Sequence, residues 1–271
     1  MPADRAIPAH ACDAHAHVIG PTMIASRSYT PREASVAEYL AMLDAHGIAR
    51  GVLVQISVHG TDNRVLLAAL GAHRERLRGI AVVDAGAPDD ELERMKRAGI
   101  VGLRLNAAFG GGPRLDELER IAARCRELDW HLELLLDRRA LPDLAPRLER
   151  LPVPFVLDHL GHVPMSAGIA HPAFQAMLAL LRHADCWVKL SAAYRVSATG
   201  PPHQDTIPFA RALVAARPDR VVWGSDWPHT AHTGPTPRIA ALLELLGEWA
   251  PDAARRDAIL VDNPARLYGF G

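Results

Sequence analysis

From Ala11 to Trp249 short apolar runs alternate with amphipathic stretches. Eight runs read as strands: Ala11–Val18, Gly51–Ile56, Gly79–Asp84, Gly102–Asn106, His131–Leu136, Phe155–His159, Trp187–Ser191 and Val221–Ser225. Most are apolar on both sides, which suits parallel strands covered on both faces. Between and after them, Val36–His46, Asn63–Arg76, Asp89–Ala98, Leu115–Leu128, Leu141–Leu151, Pro172–His183, Ile207–Ala216 and Pro237–Trp249 carry apolar residues at three- and four-residue steps, the helical period. Gly47 and Gly99 stand where helices would end, and Asp89 and Asp90 where one would begin. Eight strand–helix units predict an α/β chain folded as a (β/α)8 TIM barrel, with residues 1–271 forming a single domain.

An open doubly wound sheet would announce itself with a glycine fingerprint after the first strand. Here that strand runs into Asp13-Ala14-His15-Ala16-His17 instead. Gly110-Gly111-Gly112 lacks the Lys-Ser/Thr of a phosphate loop and reads as a flexible loop.

Composition narrows the function. A formal net charge of -1 gives no global field for nucleic acid or acidic membranes, so an anionic substrate must be held by local charges. No apolar run approaches the ~20 residues that span a bilayer. Met1–His10 lacks the apolar core of a signal peptide. Cys12, Cys125 and Cys186 are far apart, have no CxxC spacing, and read as small buried hydrophobes in a reducing cytoplasm.

Catalytic side chains of such barrels gather at the C-terminal ends of strands. Those ends carry His15 and His17, then Ser57 and His59, Arg104 and Asn106, Asp158, His159 and His162, Ser191, Tyr194 and Arg195, and finally Asp226 and His229. Packing alone does not call for so many polar groups there. His15 and His17 are two apart and share one strand face, with Asp13 beside them if the strand is regular. Such a pair chelates a metal or polarises a carbonyl. Asp226, flanked by Trp223 and Trp227, is a candidate general base in a site that excludes water and raises its pKa. Arg104 lies inside an apolar strand, so it must be paired or face the barrel mouth, where its fork suits a carboxylate. Arg195 is a second such candidate. His10, His46, His73, His171, His183 and His203 fall on helices or loops and read as surface residues; His232 is left open.

Taken together, DAHAH at 13–17, QISVHGTDN at 55–63, LDHLG at 157–161, WGSDWPH at 223–229 and DNPARLY at 262–268 resemble the amidohydrolase superfamily. Its 2-pyrone-4,6-dicarboxylate lactonase branch is the most similar part. The resemblance implies a distorted barrel of the metal-dependent-hydrolase type and hydrolysis of a carboxylated lactone. His15, His17 and His159 would polarise the ring carbonyl and Asp226 would activate water. Arg104 and Arg195 would hold substrate carboxylates, with Tyr29, Ser57, His59, Asn106, His162, Ser191 and His229 as further polar contacts. The fourth strand offers Arg104 where a binuclear site needs a bridging lysine or carboxylate, and the fifth offers Glu133 with no histidine at its end. No metal is therefore favoured, and a mononuclear zinc on His15, His17, His159 and Asp226 is the remaining option.

The basic patch that the branch carries after its fourth strand is replaced here by Phe109-Gly110-Gly111-Gly112, and an arginine after the sixth-strand histidine by His162. Each missing charge-assisted contact would weaken a dicarboxylate by about 2 kcal/mol, which makes a monocarboxylate or sugar-acid lactone a credible substrate beside a pyrone dicarboxylate. The alternatives on the same barrel are a lactone isomerase, in which a substrate hydroxyl attacks, and a zinc-dependent decarboxylase. A silent binding barrel would have no need of the histidine–aspartate set. The sequence sets no oligomeric state, and Ile239–Leu246 suits either barrel cover or a subunit contact.

Overall fold

A computed structural model describes residues 6–271. Residues 1–5, half of the Met1–His10 stretch that lacks a signal-peptide core, therefore lie outside the described residues. Eight parallel strands pair in chain order: β1 (Cys12–Ala16), β2 (Arg50–Val54), β3 (Leu77–Ala81), β4 (Ile100–Asn106), β5 (His131–Leu135), β6 (Phe155–Leu157), β7 (Cys186–Ser191) and β8 (Val221–Gly224). Helices over Val36–Ala45, Arg64–Ala72, Asp89–Ala98, Leu118–Leu128, Leu141–Leu148, Pro172–His183, Ile207–Ala216 and Ile239–Trp249 follow the strands in turn. The architecture is the expected TIM barrel, with each element within a few residues of its predicted place. Gly99 ends its helix with φ +105°, and Asp89, Asp90 and Glu91 open the same helix.

Two apolar layers result from strand alternation. Leu53, Leu103, Leu105, Leu134 and Leu190 face outward into the cluster that the helices cover. Cys12, Ala14, Val52, Val54, Ile80, Val156, Trp187 and Val222 form a separate inner cluster with Tyr268 and Phe270. Those two aromatics come from a segment the sequence pattern left unassigned. Ala253–Asp257 and Asn263–Tyr268 are helical, joined by a π turn over Ala258–Asp262. Arg255, Arg256, Arg266 and Pro264 break the apolar period there. All three cysteines are buried and unpaired, as read. Ile239, Leu242, Leu243, Leu245 and Leu246 are buried in the outer core, so that helix is barrel cover. Among the described residues, no helix is long and apolar enough to cross a membrane.

The barrel closes between β8 and β1 by few backbone bonds. Ala16 bridges Trp227, His17 N–H donates to Trp227 O at 2.8 Å, and Asp226 N–H donates to His15 O at 2.9 Å. Asp13 fastens the same seam from its side chain. It accepts from Ser225 N–H at 2.7 Å, Ser225 Oγ at 2.5 Å and Tyr39 Oη at 3.2 Å. Asp13 thus points outward, away from the His15 and His17 rings, with Oδ1 also accepting from His15 N–H at 3.2 Å. The register of β1 shifts between Asp13 and Ala16, and that irregularity breaks the two-residue period the sequence suggested.

Candidate active site

Above the inner apolar layer, the inward positions become polar. Trp187, Lys189 and Ser191 share one face of β7, His131 and Glu133 one face of β5, and Gly102, Arg104 and Asn106 one face of β4. Lys189, Glu133 and Arg104 are buried, at 0%, 0% and 3% exposure. Burying charge is tolerable only when it is paired. Lys189 Nζ donates to Glu133 Oε2 at 2.5 Å and lies 3.6 Å from Asp158 Oδ1. Arg104 Nη2 donates to Asp158 Oδ2 at 2.9 Å. Against the burial penalty, Lys189, His15 and Arg104 hold Asp158 well below the usual carboxylate range, whereas burial and Asp158 raise Glu133.

The next layer holds His15, His17, His159 and Asp226, all buried. Oδ1 of Asp226 faces Nε2 of each histidine, at 3.8 Å from His15, 3.8 Å from His17 and 4.0 Å from His159. Asp226 Oδ1 and His15 Nε2 are buried without a hydrogen-bond partner. His159 and Asp226 both have left-handed backbones, φ +51° and +59°. Strain of this kind, about 1–3 kcal/mol per residue, concentrates at functional sites.

Burial lowers the histidines. His15 is pushed down to about 4 by burial and Lys189, His17 to about 3 by burial and His15, and His159 well below the usual range by burial. Asp226 departs from expectation. Burial would raise it, but Arg195, reinforced by the three histidines, holds it well below the usual range. Arg195 Nε donates to Asp226 Oδ2 at 2.8 Å, and Tyr194 Oη donates to the same oxygen at 2.5 Å. The apolar tryptophan flank seen in the sequence is outweighed by an ion pair.

A cavity of about 20 Å³, lined by His17, Tyr29, Ser57, Arg104, His162 and Asp226 among others, opens here. That is room for about one water. Clefts of about 600 and 640 Å³ lie elsewhere, at the N-terminal end of the strands and beside Pro201–Pro237, and neither gathers these groups. Asn106, His159 and Arg195 also line the small cavity, and so does Phe109, whose ring meets Tyr29 at 5.8 Å.

Other expected contacts have partners within the protein. Ser191 Oγ shares a 2.8 Å bond with His159 Nδ1. Asn106 Oδ1 accepts from Ala108 and Phe109 N–H, shaping the glycine loop. His59 lies against the Gly20 backbone, and His229 packs on Tyr194. Arg104 and Arg195 are each committed to an internal carboxylate. His162 Nε2 is buried without a partner. His203 is buried, contrary to the surface reading, and His232 packs against the Tyr194 ring. Lys189 was missed in the sequence, although the argument that singled out Arg104, a charge inside an apolar strand, applies to it equally.

A metal can be tested against this geometry. His15, His159 and Asp226 offer ligand atoms within 4.8 Å of one another, as do His15, Glu133 and Asp158. The Lys189 ammonium already sits among the second group. His17, which lies beside the first group but is not one of its members, has Nδ1 on Val54 O at 2.7 Å, the support a ligand histidine needs. His15 Nδ1 instead meets Lys189 Nζ at 3.0 Å. The set fits a single ion in spacing and fails at His15.

Known proteins resemble the chain over nearly its whole length. The chain is 41% identical over 279 residues to a 4-sulfomuconolactone hydrolase of Rhizobium radiobacter, covering 99% of this chain and 93% of the relative. It is 37% identical to a 2-pyrone-4,6-dicarboxylate hydrolase of Comamonas testosteroni, over 97% of this chain and 91% of that one. A crystal structure described as a probable 2-pyrone-4,6-dicarboxylic acid hydrolase from Acinetobacter baumannii, with citric acid bound, superposes with a TM-score of 0.84 at 33% identity, covering 96% of this chain and 100% of the other. The family described as Amidohydrolase matches residues 12–270. With a parallel barrel, histidines on β1 and an aspartate after β8 in place, the chain belongs to the amidohydrolase family.

Proposed function

We propose that this protein hydrolyses the ring ester of a small lactone bearing an acidic group, without a metal. The observation that carries the reading is Asp226 Oδ1: a buried, unpartnered carboxylate oxygen among three imidazoles, beside room for one water. The hydrolases at 41% and 37% identity support the substrate class.

Asp226 takes a proton from water, and the hydroxide attacks the ring carbonyl. The tetrahedral intermediate collapses, the ring oxygen leaves as an enol or alcohol, and Asp226 returns the proton. The pairing with Arg195 keeps Asp226 ionised. It also makes it a modest base, so polarising the carbonyl has to supply much of the rate. The histidines divide the work. His17 donates Nδ1–H to Val54 O, which leaves Nε2 as an acceptor that orients the water with Asp226. His15 and His159 face the developing oxyanion. With Arg104 bonded to Asp158 and Gln55 O, and Arg195 to Asp226 and Thr230 O, His162 is left for the acidic substituent, which favours one negative group over two. Three unpaired, buried cysteines support a reducing compartment such as the cytoplasm.

The test is ultraviolet-monitored turnover of 2-pyrone-4,6-dicarboxylate, 4-sulfomuconolactone and monocarboxylated lactones by chelator-treated protein, with the product weighed by mass spectrometry. Ring opening with gain of one water is expected, fastest on a lactone with one acidic group. A product of unchanged mass would make the protein an isomerase, and turnover only after zinc is added would overturn the metal-free reading.

A further inference from the structure

We propose that Lys189 is a positioning residue that fixes His15 with its proton on Nε2, making His15 a hydrogen-bond donor to the reacting carbonyl and unfit to ligate a metal. The inference rests on the lactonase reading for the word carbonyl; the proton's position rests on geometry alone.

Lys189 is fully buried on the inner face of β7, one layer below the histidines. Two of its N–H groups have hydrogen-bond partners, Glu133 Oε2 at 2.5 Å and His15 Nδ1 at 3.0 Å, and Asp158 Oδ1 lies 3.6 Å away, an ion-pair distance only. An ammonium only donates. Nearer to that donor, at 3.0 Å, than to Asp158 Oδ1, at 3.4 Å, His15 Nδ1 offers its lone pair, and a neutral imidazole then carries its one proton on Nε2. That atom has no partner in the protein and stands 3.8 Å from Asp226 Oδ1, too far for a direct bond. The N–H is aimed across the space where a reacting atom would lie.

His17, two residues on, has the opposite polarity. Its Nδ1 meets a carbonyl, Val54 O, at 2.7 Å, so Nδ1 donates and Nε2 is bare. One HxH pair thus presents a donor and an acceptor to the same point, matching an oxyanion and an attacking water. A metal would require two bare nitrogens. Glu133 and Asp158 make the arrangement tolerable, because they neutralise Lys189 and Arg104 in an interior shut off from water.

The experiment is a long-range proton–nitrogen NMR spectrum of the whole protein labelled with ¹⁵N-histidine, with His15 assigned by difference against His15→Gln. The Nε2–H pattern is expected for His15 and the Nδ1–H pattern for His17. An Nδ1–H pattern at His15 overturns the proposal. In Lys189→Met the His15 proton should move to Nδ1, facing Asp158 Oδ1 at 3.4 Å. Because that variant strands buried carboxylates, Lys189→Met with Glu133→Gln is made beside it. The double variant should bind zinc at least ~10-fold more tightly than wild type in a chelator competition. Its zinc-free kcat should fall by about 100-fold while KM moves little. Unchanged zinc affinity, or a loss confined to KM, would count against the role. If no lactone is turned over yet His15 carries Nε2–H, the lactonase reading falls and the assignment of Lys189 stands.

Discussion

Arg195 Nε lies 2.8 Å from Oδ2 of Asp226, and this contact divides the carboxylate into two functional halves. Oδ2 is committed to Arg195 and Tyr194, while Oδ1 is left bare toward the histidines. Replacing Asp226 by Asn keeps the shape and removes the base. Turnover should drop by about 10²–10⁴-fold with ligand binding retained, measured by kcat and by calorimetric titration of a slow lactone. An active Asn variant would exclude Asp226 as the base.

The same contact sets the pH response. In the wild type Asp226 is held well below the carboxylate range, and His15 and His17 titrate near 4 and 3. All are in their working states above about pH 5, so kcat/KM should be level from about pH 5 to 8. In Arg195→Met the largest force lowering Asp226 is gone and burial raises it. The acid limb of kcat/KM should then climb by about one unit or more. A limb that stays in place would show that Arg195 acts on something other than the carboxylate.

Stability should respond to acid in the same region, through a different route. His15, His17, His131, His159, His162 and His229 all have folded-state pKa values lowered by burial. Each binds its proton more readily when unfolded, so stability is lost as pH falls from about 6.5 toward 4. Asp13, raised to about 6 by burial, and Glu133, also raised, oppose this, because protonation favours their folded forms. The six histidines outnumber them. Urea midpoints should decline steadily over that interval, and a midpoint that rises on acidification would contradict these assignments.

Asp13→Ala removes the carboxylate that receives Ser225 N–H, Ser225 Oγ and Tyr39 Oη. Buried donors left without acceptors should cost about 3 kcal/mol, read by urea denaturation. Asp13→Asn should cost less, since its carbonyl oxygen still accepts.

Gly111→Ala tests the loop over the cavity. At φ +84° a methyl group there would come within 2.3 Å of Ser57 O. The loop cannot close against Ser57 with that methyl present. We expect kcat/KM to fall at least ~10-fold with a denaturation midpoint near wild type. Loss of both would mean that Gly111 serves folding, not closure.

Much of this was legible in the sequence because a barrel places function at strand ends. His15, His17, His159 and Asp226 stand out as polar residues closing apolar runs. What escaped was set by contacts between distant strands. Arg104 was read as a substrate clamp because its partner, Asp158, is 54 residues away. Asp226 was expected to have a raised pKa because local tryptophans are visible in sequence, whereas the reach of Arg195 is not. Asp13 turned outward because an irregular β1 breaks strict alternation, and no periodicity argument can foresee a bulge. Lys189 hid between Val188 and Leu190, where a buried charge looks like a break in an apolar strand until its partners are known.

The seam fastened by Asp13 has a bearing on how this protein could be engineered. Ser225, which Asp13 grips, directly precedes Asp226 in the chain, and Asp13 is two residues from His15. The closure of the barrel and the alignment of His15 with Asp226 therefore share one fastening. A library that varies residues 13 and 225 to gain thermostability would shift the reacting groups at the same time. Selection for robustness and selection for rate would be inseparable at this junction, and heat-hardened variants should be sought in the outer helices instead.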